Sequence, residues 1–121
     1  MQSLQIKIIE VKFLRDFPSS GAYVQLLHPD LTQSTQNGIQ ISSNSYLFNE
    51  TLIVPIRSGR DELLVRCMTA EDNCSGERSF IANDISPANG KYKNWYDLEL
   101  KGVTTVEILL ETKYFMDQSR S

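Results

Sequence analysis

The stretch that decides the fold is Tyr46–Ile56, YLFNETLIVPI. Successive side chains of a β-strand point to opposite faces of a sheet, so Phe48, Leu52, Val54 and Ile56 share one face. The pattern predicts a strand with one buried and one solvated side. Pro55 has no N–H to donate to a neighbouring strand, so this strand should end, or lie at a sheet edge, near that residue.

The same alternation predicts seven more strands, separated by segments rich in turn-forming residues. A phase slip at Ile8 and Ile9 predicts a β-bulge in the first of them. No segment shows a helical stripe, and eight short strands predict an all-β, eight-stranded antiparallel β-sandwich. The seven strands are Leu4–Phe13, Ala22–His28, Gly38–Ser42, Glu62–Met68, Arg78–Asn83, Trp95–Leu100 and Val103–Tyr114, with Pro29–Asn37 as a polar connector and Ala70–Glu77 as a loop.

The chain length of 121 residues is typical of one domain. We expect a single sandwich over residues 1–116 and a disordered polar tail over 117–121, an end that would also suit a piece of a longer protein. Lys7, Glu10 and Lys12 interrupt the apolar N-terminal residues. The sequence therefore predicts no signal peptide and no membrane-spanning helix.

Charge and cysteine content restrict the possible partners and compartment. The formal net charge is -3, so the chain as a whole does not attract nucleic acid or anionic lipid, although a local basic patch could still do so. Cys67 and Cys74 are the only cysteines. Two cysteines in a chain of this size do not make a disulfide framework, which predicts free thiols and a cytoplasmic location.

Several segments in order resemble those of C2 domains over roughly Leu4–Tyr114. SGAYVQLLHPD resembles that family's second strand, FNETLIVPI its Trp-Asn-Glu segment, and ELLVRCM, SFIA and WYDLEL its later strands. The chain closes on Val103–Tyr114, which is similar to the permuted, type II topology. The alternative is another eight-stranded sandwich of the immunoglobulin kind, although Trp95 lies outside the Cys-Trp-Cys spacing of that fold.

The resemblance implies calcium ligands in the first and third loops, where C2 domains carry aspartates. Calcium needs about six to eight oxygen ligands. Here Gly21 replaces a first-loop aspartate, and Glu71, Asn73 and Ser79 stand at the third-loop positions. We therefore expect no metal cofactor. The weak metal candidates are Asp16, Glu71 and Asp72, and the alternative is that these are solvated loop carboxylates.

Lys91, Lys93 and Trp95 belong to the only basic and aromatic cluster, KYKNWY. The resemblance places this connection at the end opposite the calcium loops, where it could bind a phosphate or an acidic protein segment. The alternative is two solvated lysines on a loop, with Trp95 or Tyr96 anchoring a strand. Phe17 could insert into a bilayer, but packing within its own turn is the stronger expectation.

No catalytic constellation is evident, so we expect neither an enzyme nor a cofactor. His28 is the sole histidine and should end a strand, no serine sits in a hydrolase elbow, and the carboxylates are scattered.

The preferred interpretation is a calcium-independent adaptor or scaffold module that binds a protein partner and not nucleic acid. The resemblance implies a place at the end of a larger cytoskeletal, trafficking or ciliary protein.

Two further hypotheses stay open at this point. The first is a peripheral module that binds membrane phospholipid, with weak or no calcium dependence. The second is an edge-strand dimer, because the sequence does not give the oligomeric state. Leu64, Met68 and Leu109 are candidates for an exposed apolar contact patch.

Overall fold

Nine antiparallel strands and one helical turn make up the part of the chain that the computed structural model describes, residues 2–18, 20–29, 31–86 and 90–116. The predicted disordered tail, 117–121, lies outside the described residues. No helix among the described residues is long and apolar enough to cross a membrane. The elements are β1 (Gln2–Phe13), β2 (Ala22–His28), β3 (Leu31–Ser34), β4 (Ile39–Gln40), β5 (Ser45–Ile56), β6 (Glu62–Thr69), β7 (Cys74–Ile81), α1 (Ala82–Ile85), β8 (Lys91–Leu100) and β9 (Val103–Met116).

The strands follow one another in the order β3-β2-β6-β7-β8-β9-β1-β5-β4, which curls into two packed layers. One layer contains β3, β2, β6 and β7, and the other contains β8, β9, β1, β5 and β4. The layers join where β7 and β8 meet at the single pair Glu77 and Glu99. This arrangement is the predicted antiparallel sandwich. The first and last strands lie side by side inside one layer, which agrees with type II topology.

The core is built from the inward rows of both layers, as the alternation predicts. Leu52, Val54 and Ile56 of β5 are buried, and so are Leu63 and Val65 of β6. The largest fully buried side chains also include Leu4, Ile6, Ile8, Leu26, Leu98, Ile108 and Leu110. The fold therefore depends on apolar rows that the sequence displays at a spacing of two residues.

The predicted bulge in β1 is confirmed. Ile8 pairs with Leu110 and Glu10 with Leu109, which leaves Ile9 as the extra residue. A bulge lets the row of buried side chains change phase without turning the strand over. Pro55 also lies where its chemistry requires, since β4 pairs only with Leu47 and Tyr46 and no other described strand covers the rest of that β5 edge.

The chain crosses between the layers at residues 35–38. The amide of Thr35 donates to the carbonyl of Val24 at 2.9 Å, and its hydroxyl accepts from the amide of Val24 at 3.0 Å. The amide of Gly38 donates to the carbonyl of Ala22 at 2.9 Å. A Cβ at Gly38 would lie 2.7 Å from the ring of Phe48. Only glycine lets the crossing segment approach that ring so closely.

Four boundary predictions are wrong. Residues Leu31–Ser34 form β3 within the predicted connector, so nine strands are present among the described residues instead of eight. β4 is limited to Ile39–Gln40. β7 begins at Cys74 and ends at Ile81, and the next four residues form a helical turn. β8 begins at Lys91, so Lys91 and Lys93 belong to a strand and not to a loop.

The two cysteines are free thiols, as predicted, on opposite faces of their layer. Cys67 points into the core, and burial raises the pKa of its thiol to about 12. Cys74 is half-buried.

Met68 is only 6% exposed, and Leu64 and Leu109 are half-buried. Met68 is therefore not part of an exposed contact patch.

His28 ends β2, as predicted, and forms a buried polar contact. Its Nε2 lies 2.8 Å from Oδ2 of Asp61, and the side chains are 1% and 10% exposed, respectively. Burial alone would raise the pKa of Asp61, but hydrogen bonds from His28 and from the amides of Arg57 and Ser58 outweigh it and hold that pKa below its ordinary value. This pair fastens the end of β2 to the β5–β6 turn.

Asp61→Asn should lower the free energy of unfolding by about 1–3 kcal/mol near neutral pH, the usual cost of a lost partner at a buried polar group. Because the folded-state pKa of Asp61 is depressed, the contribution of its carboxylate is present above the unfolded value of about 4 and is lost as the pH falls through the folded value. Denaturant unfolding at several pH values measures the difference. The difference in unfolding free energy between the wild type and Asp61→Asn should shrink on acidification. The exposed control Asp84→Asn should change stability little. A difference that is constant with pH would contradict a stabilising role for the Asp61 carboxylate.

Candidate functional site

The first candidate site is the loop end, where the β1–β2 and β6–β7 connections meet. The amide of Ala70 donates to the carbonyl of Gly21 at 3.0 Å, which joins the two loops. The β6–β7 connection is a tight turn, closed by the hydrogen bond from the amide of Thr69 to the carbonyl of Asn73 at 2.8 Å. Ser79 lies in β7, where its hydroxyl donates to Glu62, and so it is not part of the third loop.

Glu71 and Asp72 each accept a hydrogen bond from the neighbouring loop or strand. The hydroxyl of Ser20 donates to Oε1 of Glu71 at 2.6 Å, and the hydroxyl of Tyr23 donates to Oδ1 of Asp72 at 2.7 Å. The bond from Ser20 lowers the pKa of Glu71, while the bond to Asp72 raises the pKa of Tyr23. Both carboxylates are thus engaged in holding the loops together.

Asp16 occupies a different position at this end. It has a φ of 49° and lines a cavity of about 220 Å³ together with Arg15, Thr69, Cys74, Ser75, Leu100 and Thr105. Within the described ranges, no group of three or more His, Cys, Asp or Glu side chains could hold a metal ion. The structure therefore does not gather Asp16, Glu71 and Asp72 into a site, and calcium affinity itself stays a prediction.

Phe17 packs within its own turn, as predicted. Its ring stacks on Tyr46 at a centroid distance of 5.0 Å and meets Phe13 edge-on at 5.6 Å. The hydroxyl of Tyr46 donates to the carbonyl of Pro18 at 2.6 Å. These contacts anchor the β1–β2 loop to the core.

The second candidate site is the outer face of the layer that contains β8, β9 and β1. Lys91, Lys93 and Trp95 alternate along β8 and share the face opposite to buried Leu98. Across the strand pairs, Lys91 lies opposite Lys113, and Lys93 lies opposite Glu111, which in turn faces Lys7. We call the set Lys7, Lys91, Lys93, Trp95 and Lys113 the lysine–tryptophan face.

This face combines positive charge with an exposed aromatic ring. Four lysines surround one glutamate, Glu111, in a chain whose formal net charge is -3. Trp95 is 47% exposed and lies opposite half-buried Leu109. Tyr96, on the inward row, packs edge-on against Phe80 at 5.1 Å and anchors the strand. Such a surface suits an acidic or amphipathic partner.

The structure keeps the predicted trio together and adds residues that the sequence analysis missed. Lys7 and Lys113 lie far from Lys91 along the chain, and only the pairing of β1, β9 and β8 brings them close. Their outward parity on β1 and β9 is readable from the alternation. Their shared position is not, because it depends on the order of strands in the sheet.

Comparison with known proteins gives matches at the level of structure. No protein-family model matches this sequence, and no curated protein matches it. The first C2 domain of a plant extended synaptotagmin 1 covers 95% of this chain and is itself 96% covered, with a TM-score of 0.79 and 12% identity. A fragment of extended synaptotagmin 2 that holds two C2 domains covers 93% of this chain, with a TM-score of 0.74 and 14% identity.

A third similar structure is that of CC2D1B, described as coordinating ESCRT-III activity during the mitotic reformation of the nuclear envelope. It covers 93% of this chain with a TM-score of 0.69 and 14% identity. The chain spans 39% of the extended synaptotagmin 2 fragment and 54% of the CC2D1B chain. Identities this low establish the fold alone, and the chain has the fold of a C2 domain.

Proposed function

We propose that this chain is a non-catalytic, calcium-independent C2-fold module of the cytoplasm, with an adaptor or scaffold role. Its ligand is an acidic segment of a partner protein, bound on the lysine–tryptophan face. The observation that carries the proposal is the local cluster of four lysines around Glu111, with exposed Trp95 next to Lys93, on a chain of net negative charge. Free thiols at Cys67 and Cys74 suit a reducing compartment.

The face is suited to a protein ligand by its geometry. Lysine ammonium groups pair with carboxylates, and a tryptophan that leaves water on binding is a frequent centre of interface energy. The residues lie on three paired strands and not on loops, so the backbone holds them in a fixed arrangement. A partner segment with carboxylates flanking an apolar side chain complements the pattern.

Calcium independence is supported by the way the loop-end carboxylates are used. Glu71 and Asp72 accept hydrogen bonds from Ser20 and Tyr23, which a calcium ion would have to compete with. A site of useful affinity concentrates several carboxylates around one ion. Asp16 supplies one more carboxylate at this end, beside Arg15, whose charge opposes a cation there.

The non-catalytic role is supported by the engagement of the groups that most often act as acids, bases or nucleophiles. His28 is the only histidine in the sequence and is buried against Asp61. Cys67 lies in the core, where its raised pKa keeps it a thiol. These side chains stabilise the fold and have little access to a substrate.

A second candidate function is the binding of anionic phospholipid through the same face. The exposure of Trp95 beside lysines favours it, because tryptophan prefers the membrane–water interface and each nearby lysine contributes about 1 kcal/mol on an anionic surface. The two carboxylates of the neighbouring row, Asp97 and Glu107, oppose a flat anionic membrane. A protein segment can avoid that row, so the protein ligand is the first proposal.

The double change Lys91→Glu and Lys93→Glu should weaken binding of a labelled glutamate-rich peptide by about tenfold or more, because each reversal replaces an attraction by a repulsion. Fluorescence anisotropy measures the loss. The same pair of variants in the full-length protein should lose its specific partner in a pull-down. The matched control is Arg60→Glu with Lys101→Glu, two exposed cations in turns away from the face, and it should bind as the wild type does.

Sedimentation with phosphatidylserine vesicles, with and without calcium, separates the two candidates. Peptide and partner binding without vesicle binding supports the adaptor role. Strong vesicle binding that the Lys91 and Lys93 changes abolish would replace it with the membrane role. If the double variant binds every ligand as the wild type does, the lysine–tryptophan face is the binding site in neither candidate function.

Calorimetry should detect no calcium binding tighter than about 100 μM, the weak end of the usual range. The reason is that the described loop-end residues gather too few free carboxylates. Tighter binding that is lost in Glu71→Gln and Asp72→Asn would contradict calcium independence. Asp84→Asn, an exposed carboxylate in α1, serves as the control.

A further inference from the structure

Among the residues that the structure describes, the edge of β8 lacks a neighbouring strand over most of its length. β8 pairs with β9 from Lys91 to Leu100, but on its other side the described residues supply only the pair of Glu99 with Glu77. Within the described part of the chain, no backbone hydrogen bond from a turn or loop reaches residues 91–97. The N–H and C=O groups of this segment that point away from β9 are therefore a template for another strand.

The edges formed by β5 and by β3 are protected against such pairing. On β5, Asn49 adopts a φ of 49° within a bulge, and Pro55 has no N–H. The side-chain amide of Gln33 donates to the carbonyl of Ile53 at 2.6 Å, which occupies that edge. The edge strand β3 is only four residues long. Within the described residues, the β8 edge shows no proline, positive φ or side-chain cap over 91–97.

We propose that this edge pairs antiparallel with the β8 edge of a second copy of the chain, centred on Asn94. The outward row of β8 reads Lys91, Lys93, Trp95 and Asp97, with cations at one end and an anion at the other. An antiparallel partner reverses this order. Lys91 then faces the partner's Asp97, and Lys93 faces the partner's Trp95.

The inward row is complementary as well. In this register Tyr92 faces the partner's Tyr96, and Asn94 faces the partner's Asn94. Directly opposed residues in antiparallel strands lie with Cα atoms about 4.5–5.5 Å apart, close enough for ion, cation–aromatic and aromatic pairs. Tyr92 and Trp95 are 36% and 47% exposed, and both would leave water on pairing. Two-fold symmetry doubles every contact except the central pair of Asn94 with the partner's Asn94.

The register follows from two constraints. Opposed residues must share a face, so a shift of one residue would place the outward row against the inward row. A shift of two residues that moves the centre to Trp95 would bring Lys91 to the partner's Glu99, where β7 already pairs. Centring on Asn94 uses all of residues 91–97 and leaves β7 in place. Five strands from each copy then form one continuous ten-stranded layer.

Charge reversal tests the pairing. Lys91→Asp and Asp97→Lys should each weaken self-association by roughly tenfold, because like charges then face each other at both ends of the interface. An equimolar mixture of the two variants should dimerise again, since opposite charges meet at both ends of the mixed dimer. Sedimentation velocity from about 10 μM to about 1 mM covers the range expected for a small interface. Lys12→Asp and Asp16→Lys, exposed sites at the loop end and away from this edge, should leave the association unchanged.

Cross-linking provides a second measurement, which traps the pair of copies even when only a small fraction is associated. In a Cys74→Ser background, Asn94→Cys should form a disulfide between copies under mild oxidation, because two facing Cα atoms fall within disulfide range. Lys101→Cys, an exposed turn site, should not. A wild type that is monomeric at every concentration, single variants that associate as the wild type does, or a mixture that stays monomeric would each overturn the proposal.

The inference stands apart from the proposed function. Self-association is measured as the mass of the species in sedimentation, whereas the proposed function is measured as the affinity for an acidic ligand that Lys91 and Lys93 bind. A monomeric wild type whose edge is protected from hydrogen exchange only by the glutamate-rich peptide would show that the edge takes a foreign strand. That result would remove the second copy as the occupant and leave the lysine–tryptophan face intact.

Discussion

The pairing of the two terminal strands is the constraint on which the rest of the structure depends. β1 lies between β9 and β5, so the start and end of the chain close the layer together. The inward side chains Leu4, Ile6 and Ile8 are fully buried there. Burial of this kind stabilises by about 25 cal/mol per Å² of apolar surface. The outward side chains of the same strands hold Lys7 and Lys113 in register with β8.

The apolar rows of the fold could be predicted from the sequence because each strand in the core carries its own alternation. The bulge at Ile9 could be predicted from a slip in this alternation, and the edge position of Pro55 from its missing N–H. Leu31–Ser34 could not, because this segment has little apolar alternation and forms a strand only through its pairing with β2. Lys91–Asn94 likewise lacks an apolar row and is held in β8 by β9. Where pairing alone makes a strand, local sequence carries a weak signal.

The candidate site was predictable in part. Lys91, Lys93 and Trp95 are adjacent in sequence and share a parity, so their common face follows once β8 is known to be a strand. The contributions of Lys7 and Lys113 depend on strand order, which no local pattern encodes. The use of Glu71 and Asp72 by Ser20 and Tyr23 depends on how two distant loops approach each other. The resemblance to C2 domains, which reflects loop position but not these contacts, places those carboxylates among the candidate metal ligands.

One strand can serve the face and the edge at the same time because a β-strand directs its side chains and its backbone groups at right angles. Pairing at the edge engages the N–H and C=O groups of residues 91–97 that point away from β9. It also neutralises Lys91 with the partner's Asp97. Lys7 and Lys113 remain on the outward face of both copies. The continuous layer then presents two such faces at a fixed separation. A partner with two acidic segments would bind the second at high effective concentration, which offsets the loss of Lys91 to the edge pairing.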